Sequence, residues 1–197
     1  MAKQKPSVEA AAAALKSVRD CLTIHGIPFM LDGGTLLGAV RDGNFCADDQ
    51  DDIDLTIIGG APTLPAAIQQ ACLLGFVIQH SWSHSTRGTG QLALKRHGVK
   101  VDLMLKERVR LGDSDGEWMF WTVYGKGDRV VPKAIPMKLV EPWGSVLFHG
   151  HRYNVPGNVD GYLSYRYGNW REPMHRSNYS CYTTDQAILP QAVQVIR

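Results

Sequence analysis

Apolar residues at Val8, Leu15, Val18 and Leu22 fall on one helical stripe, which predicts a helix from Ser7 to His25 with Ser7 as N-cap and Gly26 as the stop. Ile27 to Leu31 then reads as a short buried strand, Gly33-Gly34 as a tight turn, and Thr35 to Val40 as a second helix. A β-branched run, Asp52 to Ile58, predicts a buried strand. It is followed by a helix from Leu64 to Leu74 closed by Gly75 and a strand from Phe76 to Trp82. Gln91 to Arg96 and Val99 to Leu105 form an expected antiparallel pair turned at His97-Gly98, and Trp118 to Tyr124 adds a further strand. Beyond Gly127 the pattern loosens into Pro-punctuated segments, a hairpin around His149-Gly150-His151 and a short aromatic helix from Val159 to Tyr167. The expected architecture is α+β, a mixed sheet flanked by helices, formed as one domain over residues 1–197.

Polar residues break this pattern in one place. Five aspartates occur within the seven residues Asp48-Asp49-Gln50-Asp51-Asp52-Ile53-Asp54, and the last of them lie inside the apolar strand. Alternate strand residues share a face, so Asp52 and Asp54 project together with Cβ atoms roughly 6 to 7 Å apart. An unpaired carboxylate in a buried strand costs several kcal/mol, so a positive group is expected beside them. Hard oxygen donors with no nearby Cys or His ligand spacing favour Mg²⁺ or Mn²⁺ over Zn²⁺, with further ligands taken from substrate phosphates. The register lacks the sixth-position Gly and closing Glu of an EF-hand. A lone Asp102 in Lys100-Val101-Asp102-Leu103-Met104-Leu105 is the natural third ligand. Its alternative is an exposed edge-strand position.

Composition narrows the classes. The chain has 197 residues, 44% apolar and 20% charged, which is ordinary for a globular domain and excludes disordered and fibrous classes. A formal net charge of +2 gives no general argument for nucleic acid as a partner. Cys21, Cys46, Cys72 and Cys181 are widely spaced and form no CxxC pair, which fits reduced thiols in a cytoplasmic protein. No stretch reaches the roughly eighteen apolar residues of a membrane span. His80 and His84 lack the glutamate of a zinc helix.

Gly34-Thr35-Leu36-Leu37-Gly38-Ala39-Val40-Arg41, followed by Phe45 and Asp51-Asp52-Ile53-Asp54-Leu55, resembles the LicD family, which includes fukutin and the fukutin-related protein. Tyr162-Leu163-Ser164-Tyr165-Arg166-Tyr167-Gly168-Asn169-Trp170, with Pro173 beyond, is similar to that family's terminal signature. The resemblance implies a nucleotidyltransferase-like (polymerase-beta-like) fold. It also implies metal-dependent transfer of a phosphorylated alcohol, such as phosphocholine or a polyol phosphate, from a CDP-linked donor to a sugar or other hydroxyl acceptor. By position it makes Asp52 and Asp54 metal ligands and Asp102 the third ligand or the base, and has Gly34 with Thr35 cradle donor phosphate. The chain departs from the family at Cys46-Ala47-Asp48-Asp49-Gln50, where Pro-Trp is common, so a different donor-pocket loop is expected. Its shortness implies that an acceptor-binding insertion is absent.

The residues themselves add candidates. Backbone N–H groups at Gly33-Gly34 and the following helix start suit an anion. Arg41 would reach a phosphate or pair with Asp51, and Lys95 or Arg96 would neutralise phosphate, alternation allowing only one of the two to face the site. Tyr165, Tyr167 and Trp170 would stack on a base or fill the core. The competing functions are transfer of NMP from an NTP to a small molecule, protein or RNA, and a noncatalytic binding module of the same fold. Three costly carboxylates argue against the last.

Overall fold

A computed structural model of the chain describes residues 5–47, 49–83, 89–124, 130–173, 186–189 and 195–196. Asp48, His84 and Cys181 lie outside them. Helix α1 (Val8–Ile24) begins where the Ser7 hydroxyl accepts the Ala10 N–H, and it buries Ala11, Ala14, Leu15, Val18, Cys21 and Leu22. Strand β1 is shorter than the apolar pattern implied, only Met30–Leu31. The Ile27 N–H is still committed to the Leu22 carbonyl of α1, and Pro28 has no N–H to give a ladder.

Helix α2 (Gly33–Arg41) starts two residues earlier than expected, so Gly33-Gly34 form its first turn rather than a separate one. Gly33 sits at φ 52, a left-handed conformation that lets the chain bend and begin the helix at one residue. Gly38 is needed for another reason. A Cβ there would lie 2.5 Å from the Asn44 carbonyl oxygen, so the helix packs directly on the backbone of the loop that leads to the acidic segment.

Strand β2 (Asp52–Ile58), helix α3 (Leu64–Leu73), and strands β3 (Val77–Ser83), β4 (Gly90–Arg96) and β5 (Val99–Leu111) follow. Next come β6 (Trp118–Tyr124), β7 (Val130–Pro136), a one-turn helix α4 (Met137–Val140), the hairpin strands β8 (Gly144–Phe148) and β9 (His151–Val155), helix α5 (Val159–Tyr167) and β10 (Val195–Ile196). The main sheet runs β3-β4-β5-β2-β1-β9-β8. It is mixed, as expected, because β2 pairs with β5 and β1 with β9 in parallel while the other neighbours are antiparallel. The sequence pattern did not announce β7, whose Pro132 and Pro136 argue against a strand. It pairs fully with β6, and among the described residues its other flank meets only the short segment 187–189, through a bridge to Ile188, so the prolines sit near an edge where they are tolerated.

Alternation divides the sheet. Ile53, Leu55, Ile57, Val101 and Leu103 are fully buried in the core that includes α1 and α3. Their alternates on β2 and β5 point to the opposite face, toward α2 and α5.

Candidate metal centre

The parallel register of β2 and β5 sets Asp52 beside Lys100 and Asp54 beside Asp102. All four side chains therefore leave the sheet on one face. One oxygen from each of Asp52, Asp54 and Asp102 lies within 4.8 Å of the others. Asp102 is buried, so it does not occupy an exposed edge.

Each carboxylate is held differently. Asp54 Oδ2 accepts the Gly34 N–H at 2.9 Å, and the Asp54 N–H donates to the Thr35 hydroxyl at 2.9 Å. The first turn of α2 is thus folded onto Asp54. A Cβ at Gly33 would come within 2.1 Å of Asp54 Oδ2, so only glycine permits this approach. Lys100 Nζ bridges Asp52 Oδ2 at 3.0 Å and Asp102 Oδ2 at 3.1 Å. The same Asp102 oxygen accepts Gln91 Nε2 at 2.7 Å, and Trp82 Nε1 donates to Gln91 Oε1 at 3.3 Å.

Three of the six oxygens remain, and two of these, Asp52 Oδ1 and Asp102 Oδ1, are buried and accept no hydrogen bond among the described residues. Buried acceptors without a donor carry a desolvation cost that a bound cation would remove. Three carboxylates with two such atoms suit a hard divalent ion such as Mg²⁺ or Mn²⁺. The electrostatics agree. Burial, then the charges of Asp52, Asp32 and Asp102, push the Asp54 carboxyl well above its usual range against the opposing pull of the Gly34 N–H. Burial also raises Asp102, although Lys100 pulls it down. Lys100 would be lowered by burial, but the two carboxylates outweigh this and raise it.

The other candidates lie elsewhere than the sequence placed them. Thr35 is buried with its hydroxyl engaged by the Asp54 backbone, and the Gly34 N–H faces Asp54; both orient a carboxylate. Arg41 pairs with Asp42 at 2.8 Å, where the sequence had offered Asp51, and one of its nitrogens is 3.5 Å from the Trp170 carbonyl. Lys95 shares the site's face but stands opposite Lys100, one row beyond Asp102. Arg96 turns to the other face, where its guanidinium lies over Phe76 and bonds to the Leu74 carbonyl. Trp170 is buried, and Tyr165 and Tyr167 are half-buried against the core.

Sequence reading missed a second charged cluster beside the first. Asp32, at the N-cap of α2, is buried with Lys106 Nζ at 2.5 Å, the Tyr162 hydroxyl at 2.7 Å, the Thr56 hydroxyl at 2.7 Å and Arg166 at 3.6 Å. Lys106 also lies 3.9 Å from the Trp121 ring centroid. Burial alone would raise the Asp32 carboxyl, but Lys106 and Arg166 hold it far below the usual carboxylate range. Lys106 opens the charged run Lys106-Glu107-Arg108, so no local signal marks it as buried. His80 and Gln91 were also missed, and the register that brings them to Asp102 is visible only in the folded chain.

An open groove of about 850 Å³ between α3 and β3–β4 is lined by Leu64, Ile68 and Leu92, and Trp82 and Gln91 at its edge connect it to Asp102. No helix among the described residues is long and apolar enough to cross a membrane.

The fold is similar to a solved structure of the antibiotic-resistance factor ANT(2'')-Ia, with a TM-score of 0.51 and 12% identity over 85% of this chain and 79% of that one. No curated protein matches the chain in sequence. A family model described as LicD/FKTN/FKRP, nucleotidyltransferase domain, matches residues 26–158, a stretch that holds β1, α2 and all three aspartates and ends before the Tyr162–Trp170 signature. The chain belongs to the LicD/FKTN/FKRP nucleotidyltransferase-domain family, and the transferase character of that family is the class into which its acidic centre falls.

Proposed function

We propose that the protein is a metal-dependent phosphotransferase that moves a phosphorylated alcohol from a CDP-linked donor to a hydroxyl of a sugar or similar acceptor. The observation that carries this reading is the convergence of Asp52, Asp54 and Asp102 with two buried oxygens left without donors. Family membership supports transferase chemistry at this centre.

Asp52, Asp54 and Asp102 would hold Mg²⁺ or Mn²⁺. Bound there, such an ion supplies Lewis-acid neutralisation of the charge that gathers on phosphoryl oxygens during displacement. The chain's own groups do the rest. Gly34 and Thr35 fix Asp54 through its side chain and its backbone, and Gln91 fixes Asp102. Asp102, whose carboxyl burial raises, would take the proton of the acceptor hydroxyl as the hydroxyl oxygen bonds to phosphorus and the bond to CMP breaks. General-base help of this kind contributes roughly 10² to 10⁴ in rate.

The test is product analysis. Protein with Mg²⁺ or Mn²⁺, a panel of CDP-alcohols and NTPs and simple sugars should release CMP from a CDP-alcohol, and Asp54→Asn should abolish that release. Pyrophosphate release with NMP left on the acceptor would instead establish a nucleotidyltransferase on the same fold. Turnover unchanged in Asp54→Asn would refute the metal-centre assignment.

A further inference from the structure

The carboxylates of the metal centre are not left to repel one another. Lys100 reaches across from β5 and contacts the Oδ2 atoms of Asp52 and Asp102, while the Oδ1 atoms of the same two residues are the buried oxygens without hydrogen bonds. The ammonium and an incoming cation therefore address opposite edges of two shared ligands. Gln91 adds a second donor on the Lys100 edge of Asp102, so that edge is closed. When all three aspartates are ionised, one ammonium against three carboxylates leaves two surplus negative charges, the match for a single divalent ion.

We propose that Lys100 is a built-in counter-ion that weakens the acidic centre's hold on a bare divalent cation and makes tight cation binding depend on an anionic phosphate ligand arriving with it. The inference rests on the metal-centre reading above and extends it to a residue with a distinct role. With Lys100 in place the centre is tolerable without metal, because two carboxylates already have a positive partner. The same charge repels a bare cation at close range. A donor diphosphate brings its own negative charges to the cation and to Lys100, which is partly exposed, and so offsets the repulsion. Lys100 acts through Asp52 and Asp102 and is a positioning residue. Lys95, in the row opposite, lacks these contacts with the carboxylates and cannot substitute for it by geometry.

The test is Mn²⁺ binding to the full chain, followed by the loss of the free-ion paramagnetic resonance signal and by the cation-induced rise in Tm, with and without CDP. Wild-type protein should bind Mn²⁺ at least tenfold more tightly when CDP is present. Lys100→Met should bind bare Mn²⁺ at least tenfold more tightly than wild type and lose most of the CDP effect, and Lys100→Arg should resemble wild type. Lys100→Gln keeps a hydrogen-bond donor without the charge, and should follow Lys100→Met. A merely structural lysine would give the opposite result, weaker Mn²⁺ binding in both neutral variants, and that outcome would overturn the proposal. So would equal Mn²⁺ affinity of the wild type with and without CDP, a measurement that needs no variant. Failure of the metal-centre reading is separately visible as Mn²⁺ binding that Asp54→Asn does not alter in either the wild-type or the Lys100→Met background.

Discussion

Two charged clusters share one face of the sheet and meet at neighbouring residues, yet they are finished differently. Around Asp32 the chain supplies Lys106, Arg166, Tyr162 and Thr56, so both carboxylate oxygens are met from within. Around Asp52, Asp54 and Asp102 it supplies one ammonium and a few hydrogen bonds, and two buried oxygens are left over. The Asp32 N–H bonds to the Asp54 carbonyl, so the clusters are mechanically joined. The difference lies in whether the protein closes its own charge. A closed cluster needs nothing from outside the chain, whereas in the function proposed above the open one takes a cation.

The sharpest way to break the comparison is at Asp32. Asp32→Ala would strand Lys106 and Arg166 in a buried site, and removal of one partner from a buried ion pair costs about 3 to 5 kcal/mol. Denaturant unfolding should show that loss, with much of it recovered in Asp32→Ala/Lys106→Met. An Asp32→Ala protein as stable as wild type would remove the distinction between the clusters.

The open cluster should respond with the other sign. Asp54→Asn relieves repulsion from Asp52, Asp32 and Asp102, so the metal-free protein should lose no stability and gain up to about 1 kcal/mol, while its cation-induced rise in Tm disappears. Differential scanning with and without Mn²⁺ reads both effects. A destabilised Asp54→Asn would mean that this carboxylate is structural.

Acidity separates the two clusters again. The Asp32 carboxyl lies below the ordinary value of 3.8, so its stabilisation is complete above that value and drains away as pH falls. Asp54 lies above 3.8, so its protonated form is favoured in the folded chain and its contribution is lost as pH rises through the raised value. Stability measured against pH should therefore lose its acid-side slope in Asp32→Asn and the decline on the higher-pH side in Asp54→Asn. Identical profiles for the two variants would sink the assignment. Thr35→Val removes the acceptor of the Asp54 N–H and should cost about 1 kcal/mol in denaturant unfolding.

Periodicity carried most of the fold. Helices α1, α3 and α5 and strands β2, β4 and β6 fall close to where spacing and punctuation placed them, because each has an apolar stripe or alternation interrupted by recognisable stops. Strand β7 escaped because its prolines are tolerated only by virtue of an edge position, a tertiary fact. Asp52, Asp54 and Asp102 were readable as carboxylates set in aliphatic strands. Lys100 was not, because its role depends on a parallel register that brings it beside Asp52. Asp32 and Lys106 are 74 residues apart and their pairing has no local signature. Gly34 and Thr35 were legible as a glycine corner suited to an anion; that the Gly34 N–H meets the Asp54 carboxylate and the Thr35 hydroxyl accepts the Asp54 N–H depends on tertiary contact across some twenty residues.

Strand β5 carries Lys100, Asp102 and Lys106 at even spacing on one side, with Val101 and Leu103 between them. It works as a ruler on which an ammonium, a carboxylate and a second ammonium are marked two and four residues apart. Deleting any single residue between Lys100 and Lys106 would turn part of that ruler over, bringing an aliphatic side chain to the charged face and a charge to the oily one.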